Sequence, residues 1–185
     1  MTEADELALL KRNIRMLRDR QDILDCIVRE AHGRDRHDVE LTCSADWDDP
    51  CDEHGPTITA APDYPLRANA GHAAFFSATQ HKLANHACEL DGNVAHCETY
   101  VIGTLMTKDG RSCIIAPGRY LDRMERRGDQ WRIALRRCTV EMSAEGGTEF
   151  VRSAAVKGFL KGVGTKAEPS YQRPLRLEGA DKTRW

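Results

Sequence analysis

Gly33-Arg34-Asp35-Arg36-His37-Asp38 closes one long helical pattern and opens the rest of the chain. Upstream of it, Leu24, Val28, Ala31 and Asp35 follow at steps of four, three and four. That is the spacing of a single helical face. Asp35 therefore occupies a position where the pattern calls for a core residue. A carboxylate facing an apolar interior costs several kcal/mol unless something hydrogen-bonds it. The fold has to bring Asp35 a partner.

On the N-terminal side, residues 3 to about 34 predict one long helix or two in line. Leu7, Leu10, Ile14, Leu17, Leu24, Val28 and Ala31 keep a three-four spacing broken only by Gln21. Lys11, Arg12, Arg15, Arg18, Asp19 and Arg20 fill the other faces. The first half carries too narrow a stripe for a deep core helix. Residues 1–20 are expected to form an extension that lies over the domain or pairs with a neighbouring subunit. Gly33 is expected to end the regular pattern.

On the C-terminal side, Asp38 is a plausible N-cap for a short helix over residues 38–46. Trp47-Asp48-Asp49-Pro50 reads as a turn, and Cys51-Asp52-Glu53-His54 as the start of a strand that Gly55-Pro56 interrupts. Residues 56–66, with Pro56, Pro62 and Pro65, predict a loop able to serve as a lid or pocket wall. Ala68 to Thr79 reads as a third helix anchored by Phe75 and Phe76. The period then turns strand-like, with strands expected near 80–90, 94–107, 111–126 and 130–143. Leu90-Asp91-Gly92-Asn93, Lys108-Asp109-Gly110 and Arg127-Gly128-Asp129 are tight hairpin turns between them. Helices first and an antiparallel meander afterwards predict an α+β fold with the helices on one face of a curved sheet. Phe150 to Leu160 reads as a short helix within a loosely held tail.

At 185 residues the chain fits one domain able to bury about 70% of its unfolded surface. A composition 41% apolar and 30% charged is that of an ordinary globular protein. A net charge of −2 gives no general field for nucleic acid or an anionic membrane. The apolar runs are too short to span a bilayer, and the acidic start Met1-Thr2-Glu3-Ala4-Asp5-Glu6 does not read as a signal peptide. Seven cysteines without a Cys-x-x-Cys pair suggest neither a disulfide framework nor a zinc site. Reduced thiols packed as small hydrophobes, in the cytoplasm, are the expectation.

Four stretches together resemble the SnoaL-like family of the nuclear-transport-factor-two superfamily. They are Ile23-Leu24-Asp25 through Asp38, then Asp52-Glu53-His54-Gly55, then His81-Lys82-Leu83-Ala84-Asn85 through Glu98-Thr99-Tyr100. The last is Gly118-Arg119-Tyr120-Leu121-Asp122 through Trp131-Arg132-Ile133-Ala134. The resemblance implies a cone-shaped α+β barrel, a curved antiparallel sheet wrapped around N-terminal helices, over residues 21–143. Residues 144–185 form a C-terminal extension outside it. Within the family, the chain resembles cofactor-free lyases: hexachlorocyclohexane dehydrochlorinase, scytalone dehydratase and bile-acid dehydratases. Some relatives deformylate lignin-derived diarylpropanes. In that group a helix-borne Asp and a strand-borne His face each other across the cone, and those positions correspond here to Asp35 and His81. The resemblance further implies a homo-oligomer, with a trimer favoured.

An Asp–His pair in an apolar cup makes a general base: the carboxylate takes one ring N–H and stabilises the imidazolium formed on proton capture. Such a base serves dehydration, dehydrohalogenation or retro-aldol deformylation of a small apolar, even aromatic, substrate. The structural alternative is that His81 merely satisfies a buried Asp35. Asn85, Tyr100 and Tyr120 sit on strands expected to line the cup, where each reads first as a core or supporting residue and second as the holder of a substrate oxygen. Arg136 alternates with the Trp131, Ile133 and Leu135 face, so it reads either as a cation entering the cavity from the opposite face to stabilise a departing anion or as a solvated strand charge. His37 is expected to point away. Asp52, His54, His86 and His96 lack tight ligand spacing, so no metal site is expected. No cofactor is expected either. The rival readings are a non-catalytic small-molecule-binding or scaffold module, and the small subunit of a ring-hydroxylating dioxygenase.

Overall fold

The first helix, α1, runs unbroken from Glu3 to Asp35. Thr2 and Asp5 close a reciprocal capping box at its start. The computed structural model describes residues 1–55, 57–60, 63–176 and 184–185. The inward face of α1 carries Asp19, Ile23, Cys26, Ile27, Glu30 and Arg34, all buried, together with Ala31 and Asp35. Val28 is instead 48% exposed, and Leu24 is only half-buried. The apolar stripe through Leu24 and Val28 thus faces outward, although Asp35 is buried as expected. Hydropathy marks the wrong face because four of the inward positions, Asp19, Glu30, Arg34 and Asp35, are charged residues neutralised by partners inside the domain.

Gly33 does not end the helix. Its missing side chain lets the next element come close: a Cβ there would lie 2.5 Å from the Thr42 hydroxyl and 2.7 Å from the Thr42 backbone nitrogen. The helix stops two residues later, and His37 takes a left-handed turn at φ 51°. Asp38 then caps α2 (Val39–Cys43), its carboxylate accepting from the Leu41 N–H at 3.1 Å.

Strand β1 (Asp46–His54) contains Trp47-Asp48-Asp49-Pro50, the expected turn. Its ladder shifts register between Asp46 and Cys51, the stretch holding Pro50, which has no N–H to donate. Gly55, at φ 65°, turns the chain back toward β2 (Thr57–Ala60). The expected loop 56–66 therefore holds a strand and the start of α3 (Asp63–Phe75). Residues 56, 61 and 62 of that stretch lie outside the described residues. Pro65 sits in the first turn of α3, where a missing N–H is tolerated. The chain passes into strand at Phe76, several residues before the expected end of the helix, and Phe75 is 72% exposed rather than an anchor.

The long strands follow as expected: β3 (Phe76–Asp91), β4 (Val94–Thr107), β5 (Ser112–Arg127) and β6 (Gln130–Val140). Gly92, Gly110 and Gly128 supply the positive φ their turns need. A short β7 (Ala144–Gly147) adds to β5, and the sheet runs β2-β1-β6-β5-β4-β3. Two features differ from a closed antiparallel barrel. β1 runs parallel to β6, so the sheet is mixed. It is also open, ending on β2, only four residues long, and on β3 at the far edge. The fold is α+β with N-terminal helices, as the residues imply, built on a seven-stranded mixed sheet.

The apolar core lies between α1 and the sheet, where Ile23, Cys26 and Ile27 meet Val101, Met124, Trp131 and Ile133. Asp19 is held there by the Trp131 indole N–H at 2.9 Å and by Arg126. The stretch from 150 to 160 forms two short 3-10 turns rather than a helix. The tail is tied down more firmly than expected. The Tyr171 hydroxyl donates to Asp38 at 2.8 Å, and Lys166 pairs with Asp38 at 3.3 Å. Among the described residues no helix is long and apolar enough to cross a membrane.

Candidate active site

Asp35 sits on the last turn of α1 and meets the inward face of β3. Its Oδ1 lies 2.7 Å from His81 Nδ1 and accepts from the Thr79 hydroxyl at 3.2 Å. Its Oδ2 accepts from the His81 backbone N–H at 2.9 Å. β3 is an edge strand, so this carboxylate also satisfies a backbone donor that no neighbouring strand would take. The His81 side chain is 7% exposed. The buried Asp35 has the partner its position demands.

His72 of α3 stacks on His81, with ring centroids 5.5 Å apart and planes 6° from parallel. Burial, with Arg34 and His81 nearby, pushes His72 down to about 3. It is therefore a neutral plate against the His81 ring. His72 lines a cavity of about 470 Å³ together with Arg34, His54, Tyr64, Phe75 and Phe76. Tyr64 and His54 are joined there through the tyrosine hydroxyl and His54 Nδ1 at 3.1 Å.

Arg34 is the buried cation of this cavity, which the exposed Arg67 also lines. It is 1% exposed and pairs with Glu30 at 3.5 Å. Among the described residues that ion pair is the one polar contact of its Nη1, and its Nε is buried without a hydrogen bond. Buried guanidinium donors normally find acceptors, so Arg34 is placed to receive an anion or a polarised oxygen.

Arg136 has no such freedom. It donates to both Asp122 oxygens at 2.7 and 2.8 Å and to Glu30 at 2.5 Å, and its guanidinium lies 3.9 Å from the centroid of the Tyr120 ring. It faces inward because β6 changes phase: Trp131 and Ile133 point in, then Ala134 and Arg136. The register shift at Arg123 and Met124 on β5 accompanies the change. Burial raises the Glu30 carboxyl, but Arg136 and Arg34 outweigh it and hold Glu30 below the usual range. The interior beside the dyad is therefore an ion network rather than an apolar cup.

The other expected site residues lie apart from the dyad. Tyr120 is fully buried beneath Arg136. Tyr100 alternates with the inward residues of β4, is 42% exposed and lies against Arg119. Asn85 is exposed at the β3 register shift between Leu83 and His86. His37 sits past the end of α1, its ring close to Gly164 of the tail. Asp52 and His54 pair at 3.6 Å. His86 instead converges with Cys88 and Cys97, their donor atoms within 4.8 Å of one another. Burial pushes the Cys97 thiol up, which suits sulfur packed as an apolar group. Arg34, His72 and Tyr64 were missed as site residues. The available signal for Arg34 was its place directly before Asp35, one turn after Glu30.

No curated protein matches the chain. A hexachlorocyclohexane dehydrochlorinase, LinA type 2, superposes with a TM-score of 0.68 at 20% identity, covering 72% of this chain and 93% of its own. A protein of Novosphingobium aromaticivorans provisionally assigned as a scytalone dehydratase gives 0.64 at 18%, covering 69% and 87%. A second protein of that organism, provisionally assigned as an aromatic ring hydroxylase, gives 0.64 at 26%, covering 71% and 94%. The model of the SnoaL-like domain matches residues 15–137. With two-thirds of its length matched, and an acid on the first helix set against a histidine on the edge strand, the chain belongs to the SnoaL-like domain family.

Proposed function

We propose that the protein is a cofactor-free lyase in which His81, oriented by Asp35, is the general base. The observation that carries this reading is the 2.7 Å contact between His81 Nδ1 and Asp35 Oδ1. A proton on Nδ1 directed at the carboxylate leaves the Nε2 lone pair as the basic site. That nitrogen removes a C–H proton, the C–H electron pair becomes a C=C bond, and the leaving group departs with its own pair. Arg34, whose Nε is buried beside the cavity without a hydrogen bond, meets that departing anion. Removal of a hydroxyl proton instead, with C–C cleavage, uses the same two groups.

Phe75 and Phe76 beside Arg34 and Tyr64 suit a small aromatic body bearing an oxygen or halide substituent. The family and its dehydratase- and dehydrochlorinase-like neighbours support elimination as the reaction class. A non-catalytic binding module has no need of an oriented imidazole, so the contact favours the lyase.

The test is His81→Ala assayed on a panel of β-hydroxy and β-halo aromatic substrates, with circular dichroism as the fold control. Loss of turnover with an intact fold is expected. Full turnover by the variant would sink the assignment.

A further inference from the structure

The outward face of α1 repeats with a period of seven. Leu7, Ile14, Gln21 and Val28 occupy one heptad position, and Leu10, Leu17 and Leu24 the other. This stripe is separate from the buried one through Asp19, Ile23, Ile27 and Glu30 and lies on the opposite side of the helix. Leu7, Leu10, Ile14, Leu17 and Val28 range from 48% to 63% exposed. Residues 1–18 are exposed throughout, so this end of α1 projects past the domain. An apolar seam running about 32 Å along a helix and left in water calls for a covering surface.

We infer that a second copy of this chain covers it, α1 pairing with α1 as a parallel two-stranded coiled coil over residues 6–28. Three observations select that occupant. Ile14 and Val28 at the a position with leucine at d favour two strands. The flanking charges complement in the parallel register: Glu6 of one chain meets Lys11 of the other, with Asn13 against Arg18 one heptad on, while Arg20 is held by the Cys88 carbonyl of its own domain at 2.7 Å. Antiparallel pairing sets e against e, which over this stretch is Lys11 against Arg18. Finally, the C-terminal half of α1 is already fixed by the domain beneath it, so pairing has few residues left to order. Gln21 at an a position is a polar break of the kind that fixes register.

The test uses the full chain. Sedimentation equilibrium compares it with the double variant L10E/L17E, whose changes fall on exposed positions. The assembly mass is expected to halve while helix content stays within a few per cent. The single variant Leu10→Cys is expected to give a covalent dimer under mild oxidation, where the parent chain gives none. Unchanged mass in L10E/L17E, a threefold fall, or absence of the Leu10→Cys dimer overturns the proposal. So does loss of binding to phosphatidylserine vesicles with mass unchanged, which would assign the seam to a bilayer surface.

Discussion

His81 Nδ1 and Asp35 Oδ1 lie 2.7 Å apart, and the other oxygen of the same carboxylate holds the His81 backbone N–H at 2.9 Å. One acid thus fixes both the ring and the strand that carries it. Neither rotation of the imidazole nor sliding of β3 changes the tautomer without breaking a charge-assisted bond.

Asp35→Asn should separate these two tasks. The amide oxygen can still take the backbone N–H, so the melting temperature should move by only a few degrees. It cannot stabilise an imidazolium, and turnover should fall roughly 10³-fold or more, as when an orienting aspartate of a catalytic histidine is neutralised. Steady-state kinetics beside thermal melts check this. A variant that loses stability but keeps its rate would mark the pair as structural.

Arg34→Gln should lower kcat by roughly 10- to 100-fold while leaving substrate affinity nearly unchanged, because the donor at Nε that has no hydrogen bond serves an anion that grows only during reaction. The effect should shrink for substrates whose leaving group is intrinsically better. An equal loss across leaving groups would assign Arg34 to packing against Tyr64.

How far the residues alone foretold this arrangement varies from element to element. The meander was readable because each hairpin carries a glycine at a φ of 60° to 70° between long runs of strand-like period. The dyad was reached through the likeness to known lyases, and its Asp35 half was also signalled by a carboxylate in a core position. The orientation of α1 was misread because two stripes run along it. The more apolar one faces out, and the buried one includes Asp19 and Glu30, whose partners come from distant strands, and Arg34, which pairs with Glu30 one turn back. Arg136 and Tyr100 depended on strand phase. A single register shift beside β6 reversed the expected pattern for Arg136, and local hydropathy carries no mark of such a shift.

Arg136→Ala should be the most damaging interior change. It leaves Glu30 and Asp122 buried without their shared cation, at a cost of about 3–5 kcal/mol. Arg136→Met combined with Glu30→Gln and Asp122→Asn removes the uncompensated charges and should recover most of that loss. Urea midpoints of the parent chain, Arg136→Ala and the combined variant decide it. If the single variant is as stable as the combined one, the network holds no stranded charge.

Asp46 gives the fold an alkaline weakness. Burial, with Glu30 beyond it, raises its carboxyl to about 8, and its Oδ2 is buried without a hydrogen bond. Between the unfolded value of 3.8 and about 8 the folded state therefore holds a proton that the unfolded state has released. Stability from this group falls as pH rises through that window, because the native state binds more protons there. The loss should reach roughly 2–4 kcal/mol by pH 9, discounting the part of the residue that solvent reaches. Asp46→Asn cannot ionise, so relative to the parent chain it should gain stability steadily from pH 5 to pH 9. Urea melts across that range measure the difference. A gap that stays constant, or closes as pH rises, would mean that Asp46 is ionised and partnered in the native state.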